Sequence, residues 1–195
     1  MESNILSILT FLPMLGVLAM FLAYMLKQED LVYKYIALLT TFVQLLLTGW
    51  LFKNFDPNIV LPSNNAITPT KFVVQLPWIE NFNIQYFLGV DGLSMPLVLL
   101  TSLLMFICIL ASWNINKYVF AYFSLFLLLD TGMMGVFLSL DFFLFYIFWE
   151  VMLLPMYFLI GIWGGPQRKY AAIKFFLYTL FGSVFLLLGM ISLYY

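Results

Sequence analysis

Six long apolar segments dominate this sequence of 195 residues. Each is close to the roughly 20 predominantly apolar residues that an α-helix needs to cross about 30 Å of bilayer hydrocarbon. The sequence therefore predicts an all-α integral membrane protein with six transmembrane helices. The segments are Ile5–Leu26, Leu31–Phe52, Leu93–Trp113, Tyr118–Leu140, Phe142–Trp163 and Tyr170–Tyr195.

The overall composition excludes other protein classes. Hydrophobic residues make up 65% of the chain and charged residues 9%, whereas a soluble domain carries about a quarter charged residues. The high hydrophobicity and the net charge of −1 exclude a disordered chain and give no basic patch for nucleic acid. Histidine is absent and the one cysteine, Cys108, lies in an apolar segment. We therefore expect no disulfide, no metal site and no flavin, haem or iron–sulfur centre in this chain.

Positively charged residues are distributed unequally between the connecting segments. The second and fourth connections carry only Lys53 and Lys71. The other three connections carry Lys27, Lys34, Lys117, Arg168 and Lys169. By the positive-inside rule, the odd-numbered connections face the cytoplasm and both termini face the opposite side of the membrane. The first segment lacks the basic start and the cleavage site of a signal peptide, so we expect a retained helix.

Two of the connections have features of their own. The second, residues 54–90, is predicted to be external, and its stretches Phe72–Gln75 and Asn83–Phe87, separated by the turn-like Glu80-Asn81, predict a short β-hairpin. The fourth consists of Asp141 alone, so we expect the helices on either side to form a tight antiparallel pair. Asp141 is a candidate N-cap of the fifth helix. This structural role is at least as well supported as a functional one.

Glu150 lies near the middle of the fifth segment, where an ionisable side chain is costly and by default indicates function. Tyr146, four residues before it, and Tyr157, seven residues after it, place hydroxyl groups on the same helix face. Pro155 lacks an N–H and so leaves the carbonyl of Val151 without its helical partner. These groups are what a proton-holding, water-accessible site needs. The alternative is a neutral, hydrogen-bonded glutamic acid in a helix interface.

Asp130 lies midway along the fourth segment. Counting from the turn at Asp141 at about 1.5 Å per residue places Asp130 about 16 Å and Glu150 about 13 Å from the same membrane face. The two carboxyl groups could therefore meet and share a proton. The alternative for Asp130 is a packing hydrogen bond to a neighbouring group, beside Gly132 and Gly135, which let helices approach closely.

Lys174 lies one turn into the sixth segment, on the cytoplasmic side by the orientation above. It is a candidate for the proton path, but its long side chain could equally extend to the interface. The rise per residue separates its backbone from that of Glu150 by about 13 Å, which disfavours a direct ion pair. Glu150 is therefore expected to need a cationic partner outside this chain.

Three stretches resemble a known family. Gly89–Leu97 (GVDGLSMPL) is similar to a motif that precedes the third helix, Phe145–Leu159 (FYIFWEVMLLPMYFL) is similar to the signature, and Lys174–Thr179 extends the match. The family is subunit M, or chain 4, of the proton-pumping NADH–quinone oxidoreductase, respiratory complex I. It is related to the large subunits of multi-subunit cation/proton antiporters. The likeness runs from the first helix to the end of the chain.

The resemblance implies a membrane-arm subunit of a bacterial inner membrane that takes part in proton translocation. NADH oxidation and quinone reduction would occur in other subunits, which would bind the NADH, FMN, iron–sulfur clusters and quinone. The implied partners are those membrane-arm subunits and the lipid bilayer. Glu150 matches the fifth-helix glutamate of the family and Lys174 a sixth-helix lysine, whereas Asp130 lies outside the pattern. Asp91 and Gly92 match the motif before the third helix, where capping and turn geometry are expected.

The family also implies a domain organisation. Its members have many more helices, arranged around two inverted repeats. Residues 1–113 would form an N-terminal three-helix segment with the external loop 54–90, and residues 114–195 the first three helices of the first repeat. The sequence would then be a fragment or a truncated reading frame, unless a second chain supplies the rest. Two alternatives remain: a subunit of a multi-subunit Na⁺/H⁺ antiporter, and a non-translocating structural membrane module.

Overall fold

The computed structural model describes residues 4–55, 72–79 and 84–194, with side chains described up to residue 192. The expected hairpin turn, Glu80-Asn81, lies outside the described residues, as does Lys71. The described part contains six helices that are long and apolar enough to cross a membrane, which confirms the predicted fold class. They are α1 (Ile5–Met25), α2 (Asp30–Asn54), α3 (Ser94–Ala111), α4 (Val119–Leu138), α5 (Phe142–Trp163) and α6 (Arg168–Tyr194).

Some helix ends differ from the predicted segments by a few residues. Helix α4 stops at Leu138 rather than Leu140 because the next two residues pair with the hairpin: Ser139 forms a β-bridge with Leu88, and the Leu140 N–H donates to the Phe87 carbonyl over 2.9 Å. Helix α3 ends at Ala111 and continues as a 3₁₀ turn. Hydropathy marks the apolar length but does not show which backbone groups leave a helix to pair elsewhere.

The first four helices form a bundle in which α4 contacts α1, α2 and α3. Helix α5 packs on α4, and α6 packs on α5. At Gly16 in α1 the helices come so close that a Cβ would meet Thr40 of α2 and Leu127 of α4. One apolar core lies at the hairpin end of the bundle, around Leu9 and Leu138, and a second lies at the other end, around Met20 and Phe123.

The predicted β-hairpin is present and packs on the end of the bundle. Strand β1 (Val73–Ile79) pairs antiparallel with strand β2 (Ile84–Gly89), and the register shifts between Pro77 and Ile79. Proline has no N–H to donate to a strand ladder, which favours an irregularity at this point. The hydroxyl of Tyr86 is 3.0 Å from that of Ser7 in α1. The hairpin is therefore attached to the same ends of the helices as the α4–α5 connection.

Asp91 caps the start of α3, as the motif leads one to expect. The backbone N–H groups of Leu93 and Ser94 donate to Asp91 Oδ1 over 3.1 and 2.6 Å. The Ser94 N–H holds the pKa of the Asp91 carboxyl below its ordinary value. Because these bonds favour the carboxylate, their stabilising effect is present above the unfolded pKa and is lost as the pH falls through the lower folded pKa.

The opposite end of the bundle carries the basic residues of the odd-numbered connections. There the ammonium group of Lys34, in α2, donates to the Trp113 carbonyl over 2.7 Å and to Asn116 Oδ1 over 3.3 Å. These bonds attach α2 to the connection between α3 and α4. The charge asymmetry of the sequence thus corresponds to two physically distinct ends, one basic and one covered by the hairpin.

Asp141 joins the hairpin to the start of α5. The backbone N–H groups of Phe143 and Leu144 donate to its Oδ1 over 2.9 and 3.1 Å, which confirms the predicted N-cap. The N–H of Gln85, in strand β2, donates to its Oδ2 over 3.3 Å. One carboxylate therefore satisfies backbone donors on two separate elements.

Replacing Asp141 by alanine is expected to destabilise the start of α5 and to detach strand β2 from it. Loss of the cap costs about 1–2 kcal/mol, and loss of the bond from β2 about 1 kcal/mol more. Hydrogen–deuterium exchange should accelerate at Gln85, Phe143 and Leu144 together. Asp141→Asn, which keeps a capping oxygen, is the control and should exchange nearly as slowly as the unmodified protein. Unchanged exchange in Asp141→Ala would contradict the role of the carboxylate.

Candidate functional site

Glu150 lies at the centre of α5, on the side that meets α6. Its carboxyl group lies beside the hydroxyl of Tyr146, and that hydroxyl lies beside Ser183 of α6. Glu150 is half-buried, and its Oε1 is buried without a hydrogen-bond partner among the described residues. The hydroxyl of Ser183 donates to the Leu180 carbonyl over 2.9 Å. The structure thus brings Tyr146 and Glu150 together, as the four-residue spacing predicts.

Tyr157 continues this side of α5 towards the basic end, whereas Pro155, five residues and about 140° from Glu150, lies on nearly the opposite side of the helix. Pro155 is buried inside α5, and the helix continues past it to Trp163. The ring of Tyr157 packs edge-on against Phe176 of α6, with ring centroids 5.5 Å apart. The α5–α6 interface therefore contains the carboxyl group of Glu150, with Tyr146 before it and Tyr157 after it along the helix. Pro155 lacks the N–H that would otherwise bond the Val151 carbonyl next to the acid.

The opposite side of α5 packs against α4. A Cβ at Gly132 would meet the side chain of Met152, and a Cβ at Gly135 would meet the ring of Phe148. Because successive residues of an α-helix are rotated by about 100°, Glu150 points roughly opposite to these two α5 residues. The glycines therefore bring the α4 and α5 backbones close together, and Glu150 faces away from α4.

Asp130 and Glu150 are not brought together. Asp130 is completely buried, with 0% of its surface exposed, and the polar side chain beside it is Gln44 of α2. Its carboxyl group faces α2, on one side of the α4–α5 pair, whereas Glu150 faces α6 on the other. The expectation that the two carboxyl groups share a proton is therefore not supported, because similar membrane depth does not determine the direction in which each side chain points.

Lys174 also lies away from Glu150. Its side chain is exposed, and its ammonium group lies 5.7 Å from the centre of the Tyr170 ring. The contacts of Gly161 with Ala172 and of Tyr157 with Phe176 set an antiparallel register that places position 183 of α6 opposite Glu150. Lys174 precedes that position by nine residues, or about 13 Å along α6. This separation agrees with the sequence expectation that the two side chains form no direct ion pair.

Gln44 was not singled out by the sequence analysis, although its amide is completely buried in the middle of α2. A polar amide in the centre of an apolar segment is the sequence signal for this position. For metal binding, residues 4–55, 72–79 and 84–194 contain no group of three or more His, Cys, Asp or Glu side chains placed to hold an ion.

Comparison with known proteins identifies the family. The model described as NADH-ubiquinone oxidoreductase chain 4, amino terminus, matches residues 36–140, more than half of the chain. The chain belongs to this family. A second model, NADH:quinone oxidoreductase/Mrp antiporter, TM, matches residues 139–195, which include Glu150 and all of α6. The two matches together cover α5 and α6 and most of the bundle.

Relatives in this family align with the chain along its whole length. NADH-quinone oxidoreductase subunit M of Rickettsia prowazekii (strain Madrid E) is 41% identical over 196 residues, covering 100% of this chain and 38% of the relative. The subunit M of Rhodobacter capsulatus is 42% identical over 193 residues, covering 98% of this chain and 36% of the relative. The chain thus spans less than two-fifths of the length of these relatives.

Solved structures share the fold at lower identity. An archaeal respiratory membrane complex, the membrane-bound sulfane sulfur reductase, contains a chain with a TM-score of 0.75 and 19% identity, covering 96% of this chain and 36% of that one. Respiratory complex I from Thermus thermophilus with bound NADH contains a chain with a TM-score of 0.70 and 24% identity, and the match covers 91% of this chain and 33% of that one. The arrangement of the six helices therefore recurs in one chain of each of these two complexes.

Proposed function

We propose that this chain is a membrane-arm subunit of a proton-translocating NADH–quinone oxidoreductase. It takes part in proton translocation coupled to NADH oxidation and quinone reduction, which occur in other subunits that carry the NADH, FMN, iron–sulfur and quinone sites. The observation that carries the proposal is Glu150, an ionisable group at the centre of a membrane-spanning helix with one buried, unpartnered oxygen. Family membership supports the coupled reaction.

In the proposed mechanism, the Glu150 carboxyl group holds the proton. A positive charge brought close to the carboxyl group favours the carboxylate and releases the proton. The hydroxyl of Tyr146 lies beside the carboxyl group, and the hydroxyl of Ser183 lies beside that of Tyr146. Both hydroxyls can accept and donate protons towards α6. The carbonyl of Val151, unpaired because of Pro155, is a further acceptor next to the acid.

Lys174 is proposed to act at the other end of α6 rather than as the direct partner of Glu150. It lies on the basic end of the molecule, about 13 Å along the helix from the level of the acid. Its positive charge next to the Tyr170 ring would influence protons entering from that side. The cation that pairs with Glu150 is proposed to come from outside the described residues.

The orientation follows from the two ends of the bundle. We place the basic end in the cytoplasm and the hairpin end, with both termini of this segment, outside a bacterial inner membrane. Residues 1–113 are proposed as an N-terminal three-helix segment and residues 114–195 as the start of an antiporter-like repeat. The proposed partners are the other membrane-arm subunits and lipid.

The proposal is tested by comparing membrane vesicles that contain the assembled complex with vesicles from cells that lack this chain. Addition of NADH should produce a pH gradient in vesicles with the chain and none in vesicles from cells that lack it. The alternative, a Na⁺/H⁺ antiporter subunit, would instead exchange Na⁺ for protons without NADH; the description of the second family model also names an Mrp antiporter. An equal NADH-driven gradient with and without the chain would overturn the proposal.

A further inference from the structure

The buried side of α2 is polar along most of its length. It carries four buried polar side chains: Lys34, Thr41, Gln44 and Thr48. The hydroxyls of Thr41 and Thr48 donate to carbonyls four residues earlier in the helix, over 3.0 and 2.8 Å. Gln44 differs, because neither its Oε1 nor its Nε2 has a hydrogen-bond partner in the described part of the chain. Its amide is therefore buried in the bundle without a partner on its own helix.

Asp130 of α4 faces this amide. Both of its carboxyl oxygens are buried without hydrogen-bond partners among the described residues, and Gln44 is the polar side chain beside them. Two complementary groups, each completely buried, thus lie next to each other between α2 and α4. Orphaned buried polar atoms are strongly disfavoured unless they pair.

No opposite charge in the described helices compensates an ionised Asp130. Helices α1 and α3 carry no charged residue. The two lysines of α2, Lys34 and Lys53, are ten and nine residues from Gln44, about 15 and 14 Å along the helix. The ammonium group of Lys34 donates to the Trp113 carbonyl and to Asn116 Oδ1, and Lys53 is exposed. Glu150, on α5, faces α6 and is itself acidic. A carboxylate at this place would be both dehydrated and unpaired, which a protein interior avoids by protonation.

We infer that Asp130 and Gln44 form a neutral acid–amide pair, a proton-holding site between α2 and α4 that is separate from the Glu150 site. The protonated acid has one O–H donor and one carbonyl acceptor, and the amide has N–H donors and one carbonyl acceptor. The acid O–H donates to Gln44 Oε1, and the Gln44 N–H donates to the acid carbonyl. A carboxylate could only accept, and would leave Oε1 facing a negative charge.

Infrared spectroscopy of the assembled complex in membranes tests the protonation of Asp130. A carboxylic-acid carbonyl band should be present at neutral pH and should be missing from the spectrum of Asp130→Asn, which keeps an amide–amide pair but cannot hold the proton. In Gln44→Leu the band should move to higher frequency, because the acid carbonyl loses its donor. Glu150→Gln should leave it in place. A spectrum in which Asp130→Asn removes no acid band would show Asp130 ionised and overturn the inference.

Stability provides a second readout that separates the pair from the Glu150 site. Leucine at position 44 alone should lower the thermal midpoint of the complex, since it leaves the acid without a partner. The double variant Gln44→Leu with Asp130→Leu should recover part of that loss, because replacing both members of a buried pair removes the orphaned groups. If the double variant lowers the thermal midpoint by the sum of the losses of the two single variants, the Asp130–Gln44 pair is overturned. Neither outcome depends on proton pumping, so a failure of the Asp130–Gln44 pair can be distinguished from a failure of the proposed function.

Discussion

Replacement of Glu150 by glutamine is expected to abolish NADH-driven proton translocation in a complex that still assembles. Glutamine has nearly the same shape and can still hydrogen-bond to Tyr146, but it cannot take up or release a proton. The loss should be about 100-fold or more, in the range by which positioned acid–base groups contribute to proton transfer. The measurement is the initial rate of vesicle acidification after NADH addition, with the amount of assembled complex determined in the same membranes.

Glu150→Asp is the matched control for this experiment. It keeps an acid at the same position with one methylene group fewer, so it should retain measurable pumping. A complex that pumps normally with glutamine at position 150 would make the carboxyl group a packing element of the α5–α6 interface. That result would favour the structural-module alternative for the chain.

Replacement of Gly135 by leucine is expected to prevent assembly. A side chain at this position would enter the space occupied by the Phe148 ring, so α4 and α5 would have to separate. Inserting bulk into a well-packed interface costs about 1–3 kcal/mol or more, and here no flexible side-chain end is available to move aside. The expected result is little or no assembled complex on a native gel, with the unassembled chain degraded.

Gly49→Leu is the matched control for the steric argument. Gly49 also lies in a membrane-spanning helix, but a Cβ there would meet nothing within 4 Å. The same change of residue should therefore leave assembly unaffected. Equal loss of assembly in both variants would show that leucine harms these helices for a reason other than the close approach of α4 to α5.

The Asp141 and Asp91 caps show which features were predictable from local sequence. A carboxylate immediately before an apolar helix accepts from the first free N–H groups, so its role depends on residues two or three positions away. The hairpin was predictable for a similar reason, because both strands lie within one connection. In contrast, the contact between Asp141 and the Gln85 N–H joins residues 56 positions apart, and no local pattern indicates it.

The Asp130, Gln44 and Glu150 side chains show the limit of the same approach. Counting residues from a turn gives the depth of a side chain in the membrane, since the rise per residue is constant. It gives no information on rotation about the helix axis relative to neighbours. Asp130 and Glu150 were placed at similar depth, and the structure directs them to opposite sides of the α4–α5 pair.

The sequence by itself determined the membrane class, the six helices, the hairpin, the basic end and the family, because these depend on composition, on apolar length and on motifs read along the chain. Only the tertiary structure decided which helix faces meet. The glycines of α4 allow it to pack closely against α5. That packing directs Glu150 towards α6 and Asp130 towards Gln44. Side-chain partners across a bundle depend on helix rotation, which close packing between distant segments determines and local sequence does not.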